Sequence, residues 1–145
     1  MRKYGFPITT GDNYIGDIAS ALEHSPEWDS SVLFITWDDC GCFYDQAKPT
    51  INPDGTEQGP RVPLLIISPY VKPKYTDSTH TTFAGILAYV EHTFGLPPLG
   101  PNDVAAYDYK NTFNYAQKPL PPVPMATRPV PKGIHIDWGQ ARQDT

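Results

Sequence analysis

The chain has 145 residues, the size of one ordinary domain, with 39% hydrophobic residues and 17 prolines. Its net charge of −5, with no basic cluster beyond the opening Met1-Arg2-Lys3, argues against a nucleic-acid partner. No apolar run reaches membrane-spanning length and "MRKYGFPITTGDNY" lacks the hydrophobic stretch of an export signal, so no transmembrane segment is expected and location stays open.

In chain order, residues 12–24 read as a helix. Ile15, Ile18, Ala19 and Leu22 share a face, Thr10 or Asp12 can cap the start, and Ser25-Pro26 stops it. Residues 31–37 are almost continuously apolar or β-branched and read as a buried strand. "AKPTINPDGTEQGPRVP" is a long loop rich in turn residues; its "NPDGTEQG" lacks the alternating acids of a calcium loop and reads as a turn. Residues 62–71, "VPLLIISPYV", form a second continuously apolar strand. Ser78 or Thr79 opens a second helix with Phe83, Ile86, Leu87, Val90 and Phe94 on one stripe, and Gly95 followed by Pro97-Pro98 closes it. Beyond residue 116 the Pro-rich "QKPLPPVPMATRPVPKG" reads as an extended tail, and Tyr107, Tyr109, Phe113 and Tyr115 are expected to pack the extended C-terminal segment back onto the domain. Two strands buried on both faces imply a mostly parallel sheet flanked by helices, and a sheet of that kind usually has about four to six strands. The chain therefore reads as one side of a larger α/β domain over residues 1–116, with the tail over 117–145.

The chemistry concentrates where the first strand stops, at Asp38 and Asp39. Ligands of open α/β sheets sit outside the carboxyl ends of strands, and this is such an end. Two adjacent carboxylates repel unless donors or a cation compensate, and hard divalent cations take carboxylate oxygens well. An Asp-Asp pair after a strand is equally a common turn and N-cap signal, and spacing alone does not separate the two readings. Cys40 and Cys42 are one residue apart, too close for a disulfide framework and tighter than common zinc or redox motifs, so compartment and role stay undecided.

Taken together, "GDNYIGDIASALEHSPEWDSSVLFITWDDCGCFYD", "GPRVPLLIISPYV", "GILAYVEHTFGLPPL" and "YDYKNTFNY" resemble the C-terminal portion of the bacterial phosphoesterase family. That family holds phospholipases C and related acid phosphatases of the alkaline-phosphatase-like superfamily, and the resemblance runs over roughly residues 11–116 in the right order. It implies a partial alkaline-phosphatase-like fold and a metal-dependent phosphoric ester hydrolase acting on a phosphate-ester substrate. Asp38 and Asp39 match the family's acidic pair, which helps hold the metal; oxygen ligands leave Mg²⁺, Ca²⁺ and Mn²⁺ open. Gly41, Phe43, Tyr44 and Asp45 match the residues that follow. Gly41 is expected to free the turn, with Tyr44 and Asp45 supporting the ligands from behind.

The departures are equally specific. Cys42 stands where the family has a second Gly, and Gln46-Ala47 where it has His-Val. The family's first ligands, its Ser/Thr nucleophile and a preceding histidine have no counterpart here, so an N-terminal half is expected to be missing and the chain alone to be weak or inactive. The rival expectation is a non-catalytic remnant or interaction module derived from the family. Arg61 matches a recurrent position before the second strand and can pair with the acidic edge or with Asp45. His80 is a candidate metal or phosphate contact, although the family's Asp-His-Thr-Ser aligns nearer Phe83. His24 and His92 sit near helix ends, where a cation suits the dipole, and His135 has no evident partner. Relatives are commonly exported, but no export signal is read here.

Overall fold

A computed structural model describes residues 7–41 and 43–131. The element order among them is α1 (Ile8–Glu23), a short 3-10 turn (Trp28–Ser30), β1 (Leu33–Thr36), β2 (Leu64–Ile67), α2 (Ala84–Phe94) and α3 (Pro101–Ala105). The architecture is α/β, and no helix among the described residues is long and apolar enough to cross a membrane. Cys42 and His135 lie outside the described residues, as does the end of the tail.

The chain divides into two compact units, one of residues 1–31 with 121–145 and one of residues 32–120. In the first, α1 starts at Ile8, before either expected cap, and the Pro7 carbonyl accepts the Thr10 N–H at 2.9 Å. It ends where the Ser25 hydroxyl donates to the Leu22 carbonyl at 2.8 Å and Pro26 follows. The Pro-rich stretch runs antiparallel along this helix without secondary structure of its own. The Val123 N–H donates to Glu23 Oε2 at 2.7 Å, Met125 lies beside Gly16, and Arg128 reaches Asp12 at 2.8 Å. A Pro-rich segment lacks donors for a ladder, and side chains of the helix, Glu23 and Asn13, accept its Val123 and Arg128 N–H groups.

In the second unit β1 and β2 pair antiparallel, Leu33 opposite Ile67 and Thr36 opposite Leu64. The expected parallel arrangement is therefore corrected for these strands. Parallel neighbours need a crossover, commonly helical, whereas residues 37–63 contain turns and one isolated bridge, Ile51 with Glu57, and return the chain in the opposite sense. Neither strand is fully buried: β1 is half-buried throughout and Leu65 of β2 is exposed. Both apolar runs read in sequence as buried on two faces, and the described residues cover them only in part.

What is covered is aromatic. Phe34 of β1 meets the edge of Tyr89 on α2 at 5.2 Å and lies 5.4 Å from Tyr109. Tyr89 stacks on Phe113, and Phe113 on Tyr115, at 5.2 and 5.4 Å. Segment 112–120 is tied beside the end of β2 by Lys72 N–H to Thr112 C=O, Asn114 N–H to Tyr70 C=O and Leu120 N–H to Pro69 C=O. Offset and edge-on rings of this kind contribute beyond the area they bury, which lets a two-stranded sheet persist with a single helix on it. On α2 the buried positions are Gly85, Ala88 and Glu91, and the stripe Phe83, Leu87, Val90 and Phe94 is exposed. The small residues let the helix approach closely, and Gly85 lies within contact of the Tyr107 carbonyl and the Thr81 hydroxyl. α3 follows Gly100, with Pro101 at its first position and Asp103 Oδ1 accepting the Gly100 N–H at 2.9 Å.

Candidate functional site

β1 ends at Thr36, and its hydroxyl donates to the Pro63 carbonyl at 2.8 Å, pinning the strand end beside the approach to β2. The next residues leave the sheet as a chain of side-chain-braced turns. Asp38 Oδ1 accepts the Asp39 N–H at 3.0 Å, and Asp39 Oδ1 accepts the Gly41 N–H at 2.5 Å. Gly41 sits at φ +61°, the left-handed region that glycine enters freely. The two carboxylates are exposed neighbours, and each spends its Oδ1 on a local amide. These amides are the donors that let like charges stand side by side, and each Oδ2 is left without a protein partner among the described residues.

Asp45 is the anchor of the segment. Its Oδ1 accepts from Arg61 NH2 at 2.8 Å and from the Ala47 N–H at 3.0 Å; its Oδ2 accepts from Arg61 Nε at 2.9 Å and from the Arg61 N–H at 3.0 Å. The Arg61 fork, followed by the two backbone amides, holds this carboxyl far below the usual carboxylate range. Of the two partners open to Arg61, the structure brings it to Asp45. The pair ties the residues that follow the acidic turn to those leading into β2.

Between them lies a shallow depression of about 420 Å³ lined by Cys40, Phe43, Tyr44, Asp45, Arg61, Val62 and Pro63. Phe43 and Tyr44 are 81% and 91% exposed, so Tyr44 does not pack behind the acids as a support. His80 is not brought to the acidic edge either. It precedes α2 by several residues, and its Nε2 lies 3.2 Å from the Thr50 hydroxyl in the long loop. The "NPDGTEQG" segment is a tight turn, with Asn52 N–H to Thr56 C=O at 2.8 Å and Gly55 at φ +86°.

A divalent cation of the Mg²⁺, Ca²⁺ or Mn²⁺ type takes about six oxygen ligands. Asp38 and Asp39 suit it in chemistry, since both are hard donors with one oxygen each to offer. They fit as part of a shell: among the described residues no group of three or more His, Cys, Asp or Glu side chains converges on one point.

One polar centre had no sequence signal beyond a helix-start pattern. Asp77 accepts the Tyr107 hydroxyl at 2.7 Å, the Thr112 hydroxyl at 3.1 Å and the Thr79 N–H at 2.9 Å. Burial acts to raise its pKa, but these bonds outweigh it and hold the carboxyl at about 2. Burial and the bond to Asp77 push the Tyr107 hydroxyl up to about 12. Only the fold brings residues 107–112 to Asp77.

Residues 3–97 match the model of the Phosphoesterase family. Among curated proteins, phospholipase C B of Mycobacterium tuberculosis is 30% identical over 155 residues, covering 86% of this chain and 29% of the relative. Non-specific phospholipase C6 of Arabidopsis thaliana is 27% identical over 143 residues, covering 81% and 28%. Non-hemolytic phospholipase C of Burkholderia pseudomallei is 26% identical over 115 residues, covering 61% and 16%. The chain thus spans less than a third of the length of these relatives.

Proposed function

The chain belongs to the Phosphoesterase family, and from that premise we propose that it carries the acidic metal-ligand portion of a metal-dependent phosphoric ester hydrolase with an alkaline-phosphatase-like domain. The observation that carries the reading is the Asp38–Asp39 turn at the end of β1, where each carboxylate is oriented by one amide and keeps one oxygen open. Asp38 and Asp39 would hold the divalent cation. The remaining ligands and the Ser/Thr nucleophile would come from the part of the relatives that this chain does not span. Bound there, the cation would supply charge stabilisation at a phosphoryl oxygen.

The chain's own residues do three things in this account. Asp38 and Asp39 present paired negative charge, the amides of Asp39 and Gly41 fix the direction in which it points, and the Asp45–Arg61 clamp holds the loop to the rim of β2. Gln46 stands where the family pattern has a histidine; it can donate a hydrogen bond but exchanges no proton near neutral pH. The relatives are named phospholipases C, which makes a phospholipid ester the leading substrate class, with acid-phosphatase-type monoesters the alternative.

Lacking a covalent nucleophile costs several orders of magnitude in rate, so the chain alone is expected to bind metal and turn over little. The test is hydrolysis of p-nitrophenyl phosphate and p-nitrophenyl phosphorylcholine with Mn²⁺, Ca²⁺ or EDTA, using this chain and a longer one that spans its relatives' full length. Metal-dependent turnover in the longer chain, lost in Asp38→Asn, supports the reading. Absence of turnover in the longer chain at every metal concentration supports the remnant or interaction module, and full activity with both acids replaced removes Asp38 and Asp39 from the metal site.

A further inference from the structure

No exposed Asp, Glu, Lys or Arg lies on α2: its one acid, Glu91, is buried, and His92 is bonded to Asp108 at 2.8 Å. The outward stripe is Phe83, just ahead of the helix, then Leu87, Val90 and Phe94. Its two phenylalanines are 53% and 72% exposed. A surface helix ordinarily turns a charged face to water, and this one turns an apolar face instead.

The spacing of that stripe is particular. Steps of four, three and four residues make the narrow seam of a coiled coil, where two helices interlock along one line. The order of its side chains is also its own reverse: aromatic, aliphatic, aliphatic, aromatic. Lay a second copy antiparallel about a two-fold axis at the level of Ala88 and Tyr89, and Phe83 meets Phe94 of the partner subunit while Leu87 meets Val90 of the partner subunit. A two-fold interface must be complementary to itself, and this palindrome meets that requirement. Each copy carries a net charge of −5, but none of it lies on the seam, so no like charges are set against each other there. The four side chains expose on the order of 400 Å² per copy, and Leu96 and Leu99, exposed just beyond Gly95, raise this to about 600 Å². Two copies would bury about 1,200 Å², the lower end of specific interfaces.

We propose that α2 is a dimerisation surface, on which a second copy of this chain packs antiparallel along Phe83, Leu87, Val90 and Phe94. An interface of that size suits a reversible dimer with a dissociation constant of about 1–100 μM. The contact uses neither the acidic turn nor the Asp45–Arg61 pair, so it stands or falls independently of the hydrolase reading.

The test is sedimentation equilibrium of the whole chain from about 1 to 500 μM, with far-UV circular dichroism as the check on folding. The mass is expected to rise with concentration from that of one chain to that of two. Leu87→Glu places two carboxylates in the seam near the axis, at a position exposed in the single chain. It is expected to keep the parent's circular dichroism and to weaken the dimer at least about tenfold. Tyr14→Glu, at an exposed aromatic of α1, leaves the dimer unchanged. Direction is read by crosslinking with a short bismaleimide in a Cys40→Ser, Cys42→Ser background. Chains with Phe83→Cys join to chains with Phe94→Cys when the two are mixed, and neither joins to its own kind. A chain that stays monomeric to about 500 μM overturns the proposal and leaves the seam to a different partner. A dimer undiminished in Leu87→Glu, or Phe83→Cys chains that crosslink to one another, overturns it equally.

Discussion

Asp45 and Arg61 illustrate how one ion pair positions a site without belonging to it. Arg61 is largely exposed, yet it meets Asp45 through two side-chain bonds and adds its own backbone N–H, and with the Ala47 N–H four donors in all converge on one carboxylate. Asp45→Asn removes the charge and half of the fork geometry. Hydrogen exchange at the Ala47 and Arg61 amides is expected to quicken in this variant, with the amides of α1 unaffected; unchanged exchange would show that the loop is held by something else. The sign of the pH dependence follows from the depressed pKa. The pair stabilises fully above the ordinary carboxylate value of 3.8 and is lost as pH falls toward the depressed one. At this scale the sequence was informative: the acid pair, the turn glycine and the Arg61 position could all be read, whereas the choice of Asp45 over the acidic edge required coordinates.

At the scale of elements, α2 separates what a pattern can tell from what it cannot. Gly95 ends it at φ +63°, as its position before Leu96-Pro97 suggests, and Gly95→Ala is expected to cost about 1 kcal/mol in urea unfolding. Gly85→Ala should cost more, about 1–3 kcal/mol, because its methyl would lie 2.7 Å from the Tyr107 carbonyl and collide with the Thr81 hydroxyl. Equal costs at the two sites would contradict the close approach of α2. The periodicity correctly marked a helix there, but its apolar stripe points outward, because a pattern reports an amphipathic face and not what lies against it. The same limit explains the strands. Apolar runs place β1 and β2 but carry no information on the sense in which they pair, and the helix-free connection decided that. α3 was legible in retrospect from Pro101 at a first turn with Asp103 behind it.

Across the whole chain two buried carboxylates on opposite sides of their ordinary values shape stability. Glu91, 7% exposed, is raised by burial first and then by Asp103 beside it, whereas bonds from the Leu99 and Gly100 amides keep Asp103 low against its own burial. A raised carboxyl stabilises most below its unfolded value of 4.5 and loses that contribution as pH climbs through its folded value. Glu91→Gln is therefore expected to melt higher than the parent at pH 7 and no higher at pH 4; the reverse order would refute the assignment. Asp77 works oppositely, stabilising above 3.8 and failing as pH drops through about 2, so Asp77→Asn should flatten the acid limb of a pH–stability profile. Neither centre announced itself in the sequence, because each depends on segments brought together only by folding.

The central claim is that Asp38 and Asp39 act together on a divalent cation. Titration of the whole chain with Mn²⁺, followed by the loss of its free-ion electron paramagnetic resonance signal, tests it most directly. One Mn²⁺ should bind per chain and be weakened at least about tenfold in Asp38→Asn and in Asp39→Asn, with Asp29→Asn, an exposed acid elsewhere, as the unaffected control. Binding that is undiminished when both acids are replaced would contradict the account.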